Sequence, residues 1–249
     1  MNNFIKVILF ISMAATKTRK MKKIIMFLEW GSILGLAGCG LWIFLKLPIE
    51  TSQGFPQKIM YLHVPTFIAT YLAFFVVFAF SIAYLWKRDL MFDQIAKVSA
   101  EIGLIFCALL MVTGALWGRP TWGTYWVWDA RLTTTLLLFL IFMGYFLLRM
   151  SVSDRDKEAR LASVIGIIGC LDIPIIHKSV EWWRTLHQPS TLFKVESGKA
   201  SPSISLELFY PLIATTIVML LFYLYLLLLR YQTEKYREEL NQLITETQV

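Results

Sequence analysis

Charge is what this sequence has least of. Asp, Glu, Lys and Arg make up only 16% of its 249 residues, well under the quarter or so found in soluble domains. That scarcity excludes a soluble single-domain protein. Cysteine is nearly absent: Cys39, Cys107 and Cys170 are odd in number, far apart and without a C-x-x-C spacing. A disulfide framework and a dithiol redox site are therefore excluded, and small buried residues within helices remain. There is no C-x-x-C-H run and no G-x-x-x-x-G-K-[ST] loop, so the chain does not hydrolyse a nucleotide through a Walker site. Internal repeats, low-complexity tracts and a separate soluble domain are missing as well. Residues 4–15 are apolar, but the Lys and Arg cluster follows them instead of preceding them, the reverse of a secretory signal. This segment reads as interfacial, or as upstream of a start at Met21.

What is present is apolar length. A spanning helix needs about 20 mostly apolar residues. Six runs approach this: Ile24–Leu45, Tyr61–Trp86, Val98–Leu116, Leu132–Leu148, Leu161–Ile176 and Leu206–Leu229. The fourth and fifth are short. None alternates like a strand, and backbone in lipid must satisfy its own hydrogen bonds. An all-α integral membrane protein of six transmembrane helices follows. It divides into an N-terminal segment (1–23), a six-helix membrane domain (24–230) and a polar tail (231–249).

Six spans put both termini on one side, and basic residues choose which. Sixteen of the 24 Lys and Arg fall with the termini, against eight in the opposite loops. Both termini are expected in the cytoplasm. The outer face then comprises loops at roughly 47–60, 117–131 and 177–205. The net charge of +7 reports orientation, not nucleic acid.

The outer face gathers the chemistry. His63, His177 and His187, the three histidines of the chain, lie on or at it, with six of the nine tryptophans. An aromatic belt would mark both interfaces, whereas Trp86 alone marks the cytoplasmic rim. The densest stretch is Trp117-Gly-Arg-Pro-Thr-Trp-Gly-Thr-Tyr-Trp-Val-Trp-Asp-Ala-Arg131. Gly118, Pro120 and Gly123 break regular structure there. Trp122 and Trp126, four apart, would share a face if the turn were helical. Such a loop offers broad apolar surface with N–H donors at its edges, suited to a flat ligand or to membrane insertion. Neutral imidazole ligates iron, copper and zinc. Two from separate loops can approach a planar macrocycle from opposite faces, as in bis-His haem, while no cluster completes a tetrahedral zinc site. Arg119, Arg131, Lys178 and Arg184 are near enough in sequence to meet propionates.

The pattern Trp117-Gly-x-x-Trp-Gly-x-x-Trp-x-Trp-Asp-x-Arg resembles the tryptophan-rich WWD signature of haem-handling proteins of cytochrome c biogenesis. With Tyr61-Leu-His-Val-Pro65 and Pro174-Ile-Ile-His-Lys-Ser-Val-Glu-Trp-Trp-Arg-Thr-Leu-His-Gln188, it is similar to the CcmC family over about residues 24–230. The resemblance implies a non-covalently bound b-type haem at the periplasmic face of the bacterial inner membrane. It implies delivery of that haem to the chaperone CcmE, with the small protein CcmD and the CcmA–CcmB ATP-driven transporter as partners. The implied axial ligands are His63 and His187, with His177 as a support residue. The implied haem contacts are Trp117, Gly118, Trp122, Gly123, Trp126, Trp128, Asp129, Arg131, Arg119 and Arg184. Tyr125 stands where Trp is frequent in the family. Asp172, an acid inside span five, departs from the family pattern and reads either as functional or as close to the outer interface.

Two other functions compete. A haem lyase acting directly on apocytochrome would carry histidines within the membrane, and none lies mid-span here. A haem permease would line its path with several polar groups, of which Asp172 alone qualifies. Gly31-x-x-x-Gly35 reads as helix packing, and Glu29 and Glu101 as solvated acids near cytoplasmic helix ends.

Overall fold

The computed structural model describes the backbone of residues 2–51, 53–187, 193–196, 199–202 and 204–247, and side chains over 19–51, 53–187 and 204–237. Six helices follow the hydropathy: α1 (Asn2–Leu45), α2 (Met60–Lys87), α3 (Leu90–Trp122), α4 (Ala130–Ser151), α5 (Arg155–Trp182) and α6 (Leu206–Thr247). All six are long and apolar enough to cross a membrane. Large apolar side chains such as Phe75, Leu140 and Ile217 point outward, as they do where the solvent is lipid.

The helices outrun the apolar runs at several ends. The two spans that look short in sequence become 22 and 28 residues long, because capped polar turns extend them. Asp89, Asp129 and Asp154 use three of the chain's few acids as N-caps, accepting from the N–H groups of Met91 (2.9 Å), Leu132 (2.8 Å) and Lys157 (2.7 Å). Each satisfies a backbone donor that the helix start leaves open. The third outer loop, expected as plain loop, contains an antiparallel hairpin of β1 (Phe193–Glu196) and β2 (Lys199–Pro202). The remainder of 188–203 lies outside the described residues. Helix α6 runs on through the polar tail to Thr247.

Helix α2 is the centre of the bundle, packing on α3, α5 and α6, while α4 lies on α5 and α1 on α6. Phe74 of α2 stacks on Phe142 of α4 at 4.0 Å between centroids, within the main core. Gly35 of α1 fits against Val218 of α6, where an added Cβ would stand 2.9 Å from Cγ1. Gly31 faces open space, so only half of that small-residue pattern packs.

Several charges are structural. Lys58, in the first of the expected outer loops, is 7% exposed and donates to the carbonyls of Ile43 (2.8 Å) and Leu47 (3.2 Å), closing the C-terminus of α1 as a cation at a helix end should. At the opposite end Arg149 joins α3, α4 and α5. It pairs with Asp93, with Glu158 at 2.9 Å and with the Tyr145 hydroxyl at 2.7 Å. Glu101, expected to be solvated, pairs with Arg230 of α6 at 2.7 Å, and Lys97 pairs with Glu234.

Candidate functional site

The tryptophan-rich segment is more helical than its glycines and proline suggest. α3 continues through Pro120 and ends at Trp122, so Trp117, Gly118, Arg119 and Trp122 lie on a helix and not in a loop. Pro120 lacks only the N–H that would reach back to residue 116, a loss tolerable in a last turn. The Thr121 hydroxyl adds a bond to the Trp117 carbonyl at 3.0 Å. Gly123 then takes φ 79°, ending the helix left-handed, where a side chain would be strained. Trp126 falls beyond that turn, so it does not share a helical face with Trp122.

This last stretch of α3 meets both ligand-type histidines. His63, in the first turn of α2, lies edge-on to Trp117 with centroids 5.7 Å apart. His187, beyond α5, lies edge-on to Trp122 at 4.6 Å. One tryptophan five positions from the next thus presents each imidazole. Gln53 accepts from the Trp117 indole N–H at 3.0 Å and fixes that ring.

The tautomers follow from the partners. Asp129 caps α4 with Oδ1, while its Oδ2 accepts from the Leu186 N–H at 3.3 Å and meets His187 Nδ1 at 3.2 Å. A carboxylate only accepts, so His187 carries its proton on Nδ1 and leaves Nε2 bare. Burial lowers the His187 pKa, opposed in part by Asp129, and the neutral ring is the one that ligates metals. His63 repeats the arrangement. Its Nδ1 lies 3.1 Å from the Thr113 hydroxyl, which also has the Leu109 (2.8 Å) and Leu110 (3.1 Å) carbonyls in reach. With the Thr113 proton on either carbonyl, Nδ1 donates and Nε2 is left bare. Among the described residues no three His, Cys, Asp or Glu converge, which leaves a pair of ring nitrogens without the further ligands a closed zinc site takes.

Arg131 acts electrostatically on both histidines and donates to the His177 carbonyl at 3.4 Å. It is therefore the backbone of His177 that takes part, while its imidazole is exposed. The Nε of Arg131 and the indole Nε1 of Trp126 are buried with no hydrogen-bond partner among the described residues. Two orphan donors suit an acceptor-bearing ligand. Trp128 is 77% exposed and edge-on to Trp126 at 5.6 Å, giving an open apolar rim. Arg119 turns back to the Gly123 carbonyl and lies over Tyr125, so it braces the turn. Arg184 is exposed. Thr113, Gln53 and Gly114, whose added Cβ would stand 3.0 Å from His63 Cε1, are site residues that motif reading misses. Their helical spacing from Trp117 was the available signal for Thr113 and Gly114.

The family model described as "Heme exporter protein C" (CcmC) matches residues 8–246. The chain belongs to the Heme exporter protein C family. Relatives bearing that name include one from Bradyrhizobium diazoefficiens, 40% identical over 193 residues, covering 76% of this chain and 72% of the relative. Another, from Haemophilus influenzae, is 40% identical over 209 residues, covering 83% and 82%. A cytochrome c biosynthesis ccmC-like mitochondrial protein of Arabidopsis thaliana is 32% identical over 204 residues, covering 82% and 74%. Heme exporter protein C membership fits the six spans, and the site geometry above is what this member builds on them.

Proposed function

We propose that this protein binds haem at the outer face of the bacterial inner membrane and hands it to the chaperone CcmE during c-type cytochrome assembly. The observation that carries this reading is the matched histidine pair. His63 and His187 come from separate elements, each with Nδ1 held by a hydrogen bond, Nε2 bare, and a tryptophan of α3 at its side. Hydrogen-bond acceptors on the far ring nitrogen orient metal-ligating imidazoles and raise their basicity. The names of the relatives supply the cargo: a protein called "Heme exporter protein C" gives the ligand pair its iron.

Each part of the chain has a task in this reading. His63 and His187 ligate iron. Trp117, Trp122, Trp126 and Trp128, with the backbone at Gly118 and Gly123, form the apolar platform. Arg131 and the Trp126 indole N–H take up propionate oxygens, and Arg119 and Arg184 add positive charge at the rim. The exposed Trp128 side leaves one haem edge open to a chaperone. CcmD and the CcmA–CcmB transporter complete the proposed assembly. All three histidines of the chain lie at helix ends or beyond them, which favours delivery over a lyase with histidines in mid-membrane.

The test is reconstitution. Haem-loaded protein mixed with membrane-anchored CcmE is expected to leave haem covalently on CcmE, and mixed with an apocytochrome bearing C-x-x-C-H to leave none. Thioether formation on the apocytochrome alone would replace delivery with lyase activity.

A further inference from the structure

The two ligand-type imidazoles are held alike but backed differently. Each donates from Nδ1, leaves Nε2 bare, and has a tryptophan of α3 at its edge. His187 donates to Asp129 Oδ2 at 3.2 Å, and His63 to the Thr113 hydroxyl at 3.1 Å. The distances are nearly equal, so length does not rank the two bonds. The charge of the acceptor does.

The Asp129 side chain is 7% exposed, so water and salt screen its negative charge little. The backbone N–H groups of Leu132 and Leu186 donate to its two oxygens and fix it in place. A hydrogen bond to an ionised acceptor is roughly twice as strong as one between neutral groups. It draws the Nδ1 proton from the ring and leaves more electron density on Nε2, which makes the imidazole a stronger ligand. The Thr113 oxygen is neutral. It stands one turn before Trp117, so a single face of α3 supplies His63 with both its acceptor and its aromatic neighbour. Gly114 beside it leaves the ring its room, since an added Cβ would stand 3.0 Å from His63 Cε1. His63 is therefore well placed but weakly activated, whereas His187 is well placed and strongly activated.

We infer that the two histidines are unequal ligands: His187, backed by the Asp129 carboxylate, retains the haem, and His63, backed by the Thr113 hydroxyl, yields first when the haem is passed on. The inference rests on ligation by both histidines, the reading proposed for this site. In the first step of release the bond from His63 Nε2 to iron breaks and its electron pair stays on Nε2. An incoming nitrogen or oxygen donor takes the vacated position, and the iron keeps its oxidation state. A delivery protein has to let its cargo go without losing it to solvent, and one weak bond beside one strong bond does both. Thr113 is then a positioning residue whose neutrality sets the weak bond.

Two experiments on the full-length protein in nanodiscs test this. The first reads each ligand alone, because ferrous His63→Ala keeps His187 and ferrous His187→Ala keeps His63. Resonance Raman spectroscopy gives the iron–histidine stretching frequency, which rises with the strength of the hydrogen bond at Nδ1. The frequency is expected to be higher in His63→Ala. Adding Asp129→Asn there should lower it toward the value for His63. In His187→Ala, adding Thr113→Val should lower it further and adding Thr113→Ser should leave it in place. Haem held by His63→Ala but lost from His187→Ala ranks the ligands the same way. Equal frequencies, or either result in reverse, overturn the inequality. No iron–histidine stretch in both variants overturns ligation by the pair instead.

The second experiment keeps both histidines. At saturating cyanide, entry of cyanide to ferric haem is limited by departure of the first histidine. Thr113→Val is expected to raise that limiting rate roughly three- to tenfold, and Thr113→Ser to leave it within about twofold of wild type. Asp129→Asn should raise it less than Thr113→Val does. An unchanged rate in Thr113→Val overturns the role of Thr113, and a greater acceleration in Asp129→Asn makes His187 the first to leave and overturns the order.

Discussion

The Asp129 carboxylate holds two distant parts of the chain at once, capping α4 through Leu132 and meeting His187 Nδ1 at 3.2 Å. The acid of the tryptophan-rich motif is thus a positioning residue for an imidazole 58 positions away. Its two oxygens divide these tasks, and substitutions can separate them.

Asp129→Asn keeps a good N-cap but exchanges a carboxylate for a weaker acceptor at His187. Stability is expected to stay near wild type while haem affinity falls by about 10- to 100-fold. The reduction potential of bound haem should rise, as expected of a less basic ligand. Asp129→Ala should lose the cap as well, at about 1 kcal/mol. Equilibrium haem titration and a redox titration beside thermal melts check both.

Gly114→Ala puts a methyl 3.0 Å from His63 Cε1, so the ring must shift or tilt. The variant is expected to fold, with a melting temperature close to wild type, yet to show an altered ligand field. Electron paramagnetic resonance of the ferric form reads this directly.

Arg149, at the end of the bundle opposite the histidine pair, carries Asp93 and Glu158 together. Arg149→Met leaves both acids without their cation, one of them buried, and is expected to cost about 3–5 kcal/mol. Replacing Asp93 by Asn in the same variant should recover part of that loss. Thermal unfolding in detergent measures it, with the haem spectrum of surviving protein unchanged.

Gly35→Ala is expected to destabilise by about 1–2 kcal/mol, since Val218 must give way across the α1–α6 contact. Gly31→Ala, facing open space, should be neutral or nearly so. A melt of the two variants side by side tells whether α1 is held by this contact.

Much of this was legible in the sequence because lipid imposes a simple rule. Apolar length places six spans, and the crowding of tryptophan and histidine at one face points to the candidate site. The end of α3 was not legible: Gly118, Pro120 and Gly123 read as loop, yet proline fits a last helical turn and Gly123 ends it. The capped polar turns that lengthen α4 and α5 also hide from a hydropathy count. Asp129 was visible as a motif residue, but not its partner, because the contact joins positions far apart in the chain. In the sequence, Arg149 and Lys58 are two more basic residues in connections, with nothing beyond orientation to read from them. Their burial comes from packing, which composition does not express. Asp172 stands out in the sequence as an acid inside a span, and in the fold it is buried with Oδ2 unpartnered among the described residues.

The most direct measurement is the visible spectrum of haem bound to purified wild type, His63→Ala, His187→Ala and the double variant. Wild type should show a six-coordinate low-spin Soret band. Each single variant should move toward five-coordinate high spin, with partial return on adding imidazole, and the double variant should lose the band or shift it fully. An unchanged spectrum in the double variant would contradict ligation by His63 and His187, and with it the reading of this outer face.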